Sequence, residues 1–64
     1  MTIYEFCNLC IEPSLCKLTI YDSNVGEDIF MGTMEDAMES KYADYEVDSF
    51  DVPNLDAITV NVSI

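Results

Sequence analysis

The end of the chain alternates between apolar and polar residues, and this pattern limits the fold more than any other feature. Apolar side chains take every second position of the segment Ile58, Thr59, Val60, Asn61, Val62, Ser63, Ile64. Successive side chains of a β-strand point to opposite faces, so the pattern predicts a strand with one buried face and one solvent-facing face. Such a strand is typical of antiparallel sheets that are covered on one side.

A β-hairpin is predicted in the first half of the chain. Cys16, Leu18 and Ile20 alternate with more polar neighbours, which indicates a half-buried strand. Residues 22–26 are rich in turn formers, and a second apolar segment follows at residues 29–31. Two strand-like segments joined by such a turn predict a hairpin.

A third strand is predicted over residues 45–52, but its apolar side chains are not in phase. Val47 belongs to one face and Phe50 belongs to the other. A β-bulge near Ser49 would bring them onto the same face, because a bulge inserts one extra residue. The Pro-Asn pair at residues 53–54 predicts a turn before the last strand.

Two short helices are predicted from their start signals. Thr2 and Glu5 have the spacing of a capping box, and the apolar stripe behind them predicts a helix over residues 3–11 that ends before a proline. Thr33 is the second N-cap. Two acids follow it and suit the positive end of a helix dipole, so the second helix is predicted over residues 34–41.

These elements follow the order α-β-β-α-β-β. We therefore expect an α+β fold, with a four-stranded, mainly antiparallel sheet and both helices packed on one face. A chain of 64 residues allows a single domain, here residues 1–64, and half of its residues are apolar. That apolar content provides the core that a disordered chain lacks.

Negative charge is the strongest feature of the composition. Thirteen acids stand against two bases, Lys17 and Lys41, for a formal net charge of −11, and eleven of the acids lie between Asp22 and Asp56. Such a surface repels phosphate, so direct binding to DNA, RNA or anionic membranes is not expected. A basic protein surface is the natural partner, and attraction to it would be long-ranged and sensitive to salt.

The protein is expected to be cytoplasmic. The first eleven residues lack the basic start and the long apolar run of a signal peptide, and no segment reaches the roughly 18 apolar residues of a membrane span. In that compartment the three cysteines are expected to be reduced thiols.

The cysteines Cys7, Cys10 and Cys16 allow three interpretations. Cys7 and Cys10 coincide with the apolar stripe of the first helix, so the preferred interpretation is that they are core residues. A redox motif would instead place a low-pKa thiol at the start of a helix. A zinc site normally has four ligands, whereas the chain offers three cysteines and no histidine, so no metal and no cofactor is predicted.

The chain contains few residues that could catalyse a reaction. It has no histidine and no arginine, so its serines have no imidazole base and no catalytic triad can be assembled. Paired carboxylates would need a pocket that separates their pKa values, and a thin two-layer domain has little room for one. The sequence therefore predicts a binding protein that is not an enzyme.

Six acids are predicted to bind the partner, because they fall on the second helix and around the start of the third strand. They are Glu35, Asp36, Glu39, Asp44, Glu46 and Asp48. Each would place a fixed negative charge opposite a Lys or Arg of the partner. The alternative is a surface that only keeps the protein soluble, but solubility needs a net charge of only about 2–8 in a small domain.

The tyrosines favour a different function, that of a small accessory or scaffolding subunit or a homodimer. Tyr4, Tyr21, Tyr42 and Tyr45 have an apolar ring with a polar tip, and such residues are enriched at interface hot spots. Alternatively, some of them cover the edge of the core. Salt separates the two functions, because apolar association should barely change with ionic strength.

In its size, acidity, scarcity of Lys and Arg and short mixed elements, the whole chain resembles the small acidic α/β proteins that phages and other mobile elements encode. Those with known roles include anti-CRISPR inhibitors. The resemblance rests on no diagnostic motif, so it transfers no functional residue. It implies a protein of the host-cell cytoplasm that imitates phosphate charge and covers the Lys- and Arg-lined nucleic-acid cleft of a nuclease, such as a CRISPR effector.

Overall fold

A four-stranded sheet forms one layer of the molecule and two short helices form the other. The computed structural model describes residues 1–54 and 57–63, so Asp56 and Ile64, which the predictions included, lie outside the described residues. The elements follow the predicted order: α1 Ile3–Cys7, β1 Lys17–Asp22, β2 Glu27–Thr33, α2 Met34–Met38, β3 Val47–Asn54 and β4 Ala57–Val62.

The strands lie side by side in the order β2-β1-β4-β3. β1 pairs antiparallel with β2, and β3 pairs antiparallel with β4, whereas the central pair of β1 and β4 is parallel. A parallel pair needs a long crossover, and here β2, α2 and β3 together provide it. The predicted α+β class with a four-stranded, mainly antiparallel sheet is confirmed, and the sheet is mixed because of its central pair.

One face of the sheet and both helices enclose a single core. Leu18 and Ile20 of β1 lie beside Ile58 and Val60 of β4 on this face, as the predicted alternation requires. The buried apolar side chains are Ile3, Cys7, Leu18, Ile20, Met34, Ala37, Val60 and Val62. Two of them come from α1, two from α2 and four from the central strands, so both helices pack on the same face of the sheet.

Helix α1 begins where the sequence predicts and ends earlier. The Glu5 N–H donates to Thr2 Oγ1 over 3.1 Å and the Thr2 N–H donates to Glu5 Oε1 over 2.8 Å, so the capping box is present. The helix stops at Cys7 instead of Ile11, because the next amides bond three residues back instead of four, as in the 3.1 Å bond from Cys10 N–H to the Cys7 carbonyl. Ile11, the last residue of the predicted stripe, is 93% exposed.

Helix α2 is also shorter than predicted. It runs from Met34 to Met38 instead of to residue 41. Ser40 accounts for the early end, because its Oγ donates to the Ala37 carbonyl over 2.7 Å and accepts the Tyr42 N–H over 3.2 Å. A serine side chain that bonds to nearby backbone in this way competes with the helical pattern.

Strand β3 contains the predicted bulge. Val47 pairs with Val62, and Ser49 pairs with the preceding residue of β4, Asn61, so Asp48 is the extra residue. This shift brings Val47 and Phe50 onto the same face of the sheet. The predicted turn at residues 53–54 is wrong, since β3 continues to residue 54 with a second register shift between residues 51 and 54. Proline is tolerated there because β3 is an edge strand.

Candidate protein-binding surface

All six predicted contact acids are exposed, and we call them the acidic surface. Glu35 and Asp36 lie in the first turn of α2, and Glu39 is its C-cap residue. Asp44 lies in the turn that leads to β3, and the remaining two acids lie just before and within the start of that strand. The described members of this surface are Glu35, Asp36, Glu39, Asp44, Glu46 and Asp48.

The start of α2 is held by neighbouring backbone and by its cap. The Met34 N–H donates to the Cys16 carbonyl over 2.8 Å, and the Glu35 N–H donates to the Pro13 carbonyl over 3.2 Å. The Asp36 N–H donates to Thr33 Oγ1 over 3.1 Å. These three amides are therefore occupied by acceptors within the protein, which fixes the position of this turn and of the acids that it carries.

Glu39 lies at the unfavourable end of α2 for a negative charge. The carbonyl end of a helix carries partial negative charge, and a carboxylate there is repelled. No basic residue occupies the last turn to compensate. The sequence thus places an acid where helix stability alone would favour a base.

Glu46 differs from the other five acids because it is already paired. The N-terminal ammonium of Met1 donates to Glu46 Oε2 over 2.9 Å. This hydrogen bond, with the attraction between the two charges, raises the pKa of the ammonium group above its usual value. Thr2 also pairs with Glu46 in an isolated antiparallel bridge, so this acid ties the start of the chain to the segment before β3. Met1 and Glu46 are far apart in the sequence, so no local pattern predicts their contact.

Lysine side chains do not neutralise the acidic surface. Among the described residues, the ion pair of Met1 with Glu46 is the only one, so neither Lys17 nor Lys41 pairs with a carboxylate there. Lys41 Nζ instead lies 5.3 Å from the ring centroid of Tyr42, within the range of a cation–π contact. Five of the six acids consequently have no cationic partner in the part of the chain that the structure describes.

Exposed acids lie on the edge strands of the sheet and not on its central strands, as far as the structure describes them. Asp22 is the single acid on the central strands within the described residues, and it is buried, with its Oδ1 accepting the Asn24 N–H over 2.9 Å. Both edge strands carry exposed acids, which include Asp28 on β2 and Asp51 on β3. Asp22 belongs to the acidic part of the sequence, but in the structure it is not part of the surface.

An apolar groove adjoins the acidic surface along β3. It has a volume of about 510 Å³, and its lining includes Phe6, Leu9, Phe50 and the acid Asp48. The ring centroids of Phe6 and Phe50 lie 5.3 Å apart. Leu9 is 71% exposed and Phe50 is 58% exposed, so both present apolar surface to solvent. No pattern in the sequence predicts this groove, because it forms where Phe6 and Leu9 meet β3 in the folded protein.

The tyrosines are divided between the core edge and the surface. Tyr42 packs against Phe30 and Tyr45, with ring centroids 6.1 and 5.3 Å away, and both tyrosines are half-buried. Tyr21 is also half-buried, whereas Tyr4 is exposed. Tyr42 and Tyr45 therefore cover the edge of the core, which is the alternative to an interface role that the sequence allows.

All three cysteines are free thiols. Cys7 belongs to the core as predicted, and burial raises the pKa of its thiol to about 11. Cys10 and Cys16 are half-buried, and their Sγ atoms lie 2.7 Å apart. Within residues 1–54 and 57–63, no three Cys, His, Asp or Glu side chains are grouped so that they could hold a metal ion.

No protein-family model, no curated protein and no solved structure matches the chain. Among the described residues, no helix has the length and apolar character needed to cross a membrane.

Proposed function

We propose that this protein binds a basic surface of a nucleic-acid-handling protein and inhibits it by occupying the site of the nucleic acid. One observation carries the proposal: five exposed acids on α2, the following turn and β3 have no cationic partner among the described residues. Unpaired like charges on a small domain repel each other and weaken the fold. A partner rich in Lys and Arg would relieve that repulsion on binding.

The charge density of the protein supports mimicry of a nucleic acid. Its longest dimension is 30 Å and its formal net charge is −11, which is one charge for about every 2.7 Å of length. Duplex DNA carries one charge per about 1.7 Å and a single strand one per about 3.4 Å. The protein falls between these values, so a cleft that attracts a nucleic acid would attract this protein as well.

Nucleases that hold nucleic acid in a positively charged channel are the class of target that fits best. CRISPR effectors are one example, since they contact their bound heteroduplex mainly through its backbone. An acidic body about 16 Å thick in its shortest dimension could occupy part of such a channel without any chemical step. Inhibition would then be competitive with the nucleic acid and would weaken as salt rises.

The test has two steps, which are capture of the target from a lysate and a displacement measurement with the two purified proteins. The immobilised protein is incubated with host-cell lysate and washed in parallel at low and high salt, and the retained protein is identified. The purified target is then loaded with a fluorescently labelled nucleic acid, and its displacement by this protein is measured. Recovery of a basic nucleic-acid-binding protein, with displacement that declines as salt increases, would support the proposal.

A matched pair of variants separates a defined surface from net charge alone. E35Q/D36N/E39Q removes three charges from α2, and E27Q/D28N/D51N removes three exposed charges outside the acidic surface. We expect the first variant to lose at least tenfold more affinity than the second. Equal losses would indicate non-specific attraction, and unchanged affinity in both would sink the proposal.

The apolar groove favours a second candidate, an accessory or scaffolding subunit that binds through Phe50 and Leu9. Their exposed side chains on an apolar groove of about 510 Å³ are the observation behind it. Two copies that each carry a charge of −11 repel each other, so a homodimer formed through this groove should strengthen with salt. Binding to a basic target should weaken with salt. Sedimentation of the protein alone at low and high ionic strength therefore tests the homodimer, and the salt dependence of a captured complex distinguishes an apolar partner from a basic target.

A further inference from the structure

Cys10 and Cys16 are in direct sulfur contact. Their Sγ atoms lie 2.7 Å apart, with one thiol donating a hydrogen bond to the other. Nonbonded carbon atoms pack at about 3.5–4.0 Å, so the two larger sulfur atoms are closer than packing alone would bring them. The apolar stripe of the first helix predicts a core position for Cys10 and does not indicate this contact with Cys16.

The backbone holds both residues in place, and the sulfur pair is accessible. The Cys10 N–H donates to the Cys7 carbonyl over 3.1 Å, and the Cys16 carbonyl accepts the Met34 N–H over 2.8 Å. The two cysteines also line an open groove of about 220 Å³ beside Met34 and Ile58. A small molecule in solution can therefore reach the sulfur atoms without unfolding the protein.

We propose that Cys10 and Cys16 form a disulfide when they meet a low-molecular-weight disulfide such as oxidised glutathione, and that Cys7 remains a thiol. The thiolate of one cysteine attacks a sulfur atom of the oxidant, and one glutathione thiolate leaves. The second cysteine attacks the protein sulfur of this mixed disulfide, and the other glutathione thiolate leaves. Two protein thiols are oxidised, one small disulfide is reduced to two thiols, and the two protons pass to the released thiolates.

Cys7 is unsuited to this reaction, and the pair is unsuited to a metal. Cys7 is fully buried, and its raised pKa leaves little of the nucleophilic thiolate at neutral pH. Zinc usually takes four protein ligands in a structural site, whereas the described residues bring no third Cys, His, Asp or Glu into a metal-binding group with Cys10 and Cys16. The contact therefore fits a disulfide better than a metal site.

A disulfide here would stiffen the start of α2. Residues 13–16 supply the carbonyl groups of Pro13 and Cys16, which accept the N–H groups of Glu35 and Met34. A covalent bond from Cys16 back to Cys10 would restrict this segment and the helix turn that it holds. Any effect of this stiffening on partner binding rests on the proposed function, because Glu35 belongs to the acidic surface. The formation of the disulfide itself does not rest on that function.

The first experiment treats the full chain with oxidised glutathione and measures its intact mass. We expect a loss of two hydrogen atoms, reversed by dithiothreitol. Free thiols are then blocked with iodoacetamide in denaturant, the disulfide is reduced, and the new thiols are labelled with N-ethylmaleimide. Tandem mass spectrometry should find maleimide on Cys10 and Cys16 and acetamide on Cys7. A stable glutathione adduct, an unchanged mass or maleimide on Cys7 would overturn the proposal.

Variants and stability measurements complete the test. C7A should form the disulfide as the natural chain does, whereas C10S and C16S should each stop at one bound glutathione. The oxidised protein should melt higher by on the order of 10 °C, because the bond restricts the unfolded chain and a small domain responds strongly. The amides of Met34 and Glu35 should exchange with solvent more slowly. A lower melting temperature on oxidation would overturn the proposal, because the bond would then distort the native fold.

The reaction should also accelerate with pH. The hydrogen bond between Cys16 and Cys10 is the main factor that raises the pKa of the Cys16 thiol, because it stabilises the protonated form, so at neutral pH little Cys16 thiolate is present to attack the oxidant. The rate of disulfide formation should therefore rise as pH increases through the thiol range. None of these measurements involves a partner, so their failure would leave the proposed function untouched.

Discussion

The central and edge strands of the sheet differ in what they carry. In β1, buried positions alternate with exposed or half-buried ones, and β4 ends in the same alternation, with Ile20 and Val60 fully buried. The edge strands β2 and β3 carry exposed acids, and β3 also carries the bulge at Asp48. Stability is thus concentrated in the middle of the sheet, and charge is concentrated at its borders.

This difference shows how a small chain can carry so much charge and still fold. Charges at the border remain in water, so they keep their hydration and repel each other through a high dielectric. Acids on edge strands also discourage pairing with other sheets, a recurrent protection for exposed edges. Charge at the border therefore has little effect on the core.

The largest expected effect comes from a substitution in the centre of the sheet. Ile20→Ala should destabilise the protein by about 2–5 kcal/mol, because it removes a fully buried side chain and leaves a cavity. A 64-residue domain has a total stability of about 3–10 kcal/mol, so much of the variant should be unfolded. Urea denaturation followed by circular dichroism measures the loss. Thr19→Ala, one residue away and half-buried on the opposite face, is the control.

Asp22 tests whether an acid in the centre behaves differently from an acid at the border. Asp22→Ala should cost about 1.5 kcal/mol, since it removes a carboxylate that accepts the Asn24 N–H from a buried position. Asp28→Ala, at an exposed position of β2, should change the free energy of unfolding by less than about 0.5 kcal/mol. Equal losses in the two variants would contradict the division between centre and border.

Phe50 tests how much the border contributes to the fold. Its ring packs against Phe6, but more than half of its surface faces solvent. Phe50→Ala should therefore cost about 1 kcal/mol, the size of an aromatic pair, and not the loss expected at Ile20. Thermal unfolding measures this difference, and Val52→Ala, another exposed residue of β3, is its control. A loss as large as that of Ile20→Ala would place Phe50 in the core.

The smallest expected effect concerns pH. The contact with Glu46 raises the pKa of the N-terminal ammonium in the folded protein above the value of 8.0 in the unfolded chain. Its contribution to stability is therefore fully present below pH 8.0 and is lost as pH rises through the raised value. The urea midpoint of the natural chain should fall slightly over this range, whereas Glu46→Gln should not show this fall. Glu39→Gln, which leaves the ion pair intact, should retain it.

Local patterns predicted several elements well, because the interactions behind them are local. The capping box of Thr2 and Glu5 spans three residues, and the structure contains both of its hydrogen bonds. The bulge near Ser49 was predicted from the phase of Val47 and Phe50 alone. Helix ends were less predictable, since the side chain of Ser40 decided where α2 stops.

The acidic surface was predicted in part. Exposure of its six acids follows from their charge, because an unpaired carboxylate is costly to bury. The pairing of Glu46 with the chain terminus, the burial of Asp22 and the groove beside Phe50 did not follow from any pattern. Each depends on segments that are distant in the sequence and meet only when the sheet assembles.

The α+β class, the order of the elements, the buried face of the first and last strands and the net charge of −11 can all be read from the sequence. These depend on periodicity and composition, which are properties of neighbouring residues. Tertiary structure alone decided the parallel pairing of β1 with β4, the contact of Cys10 with Cys16, and which acids remain free of a cationic partner among the described residues. Such contacts arise from packing the sheet against the helices, and the cost of closing long loops is repaid only when the whole core forms.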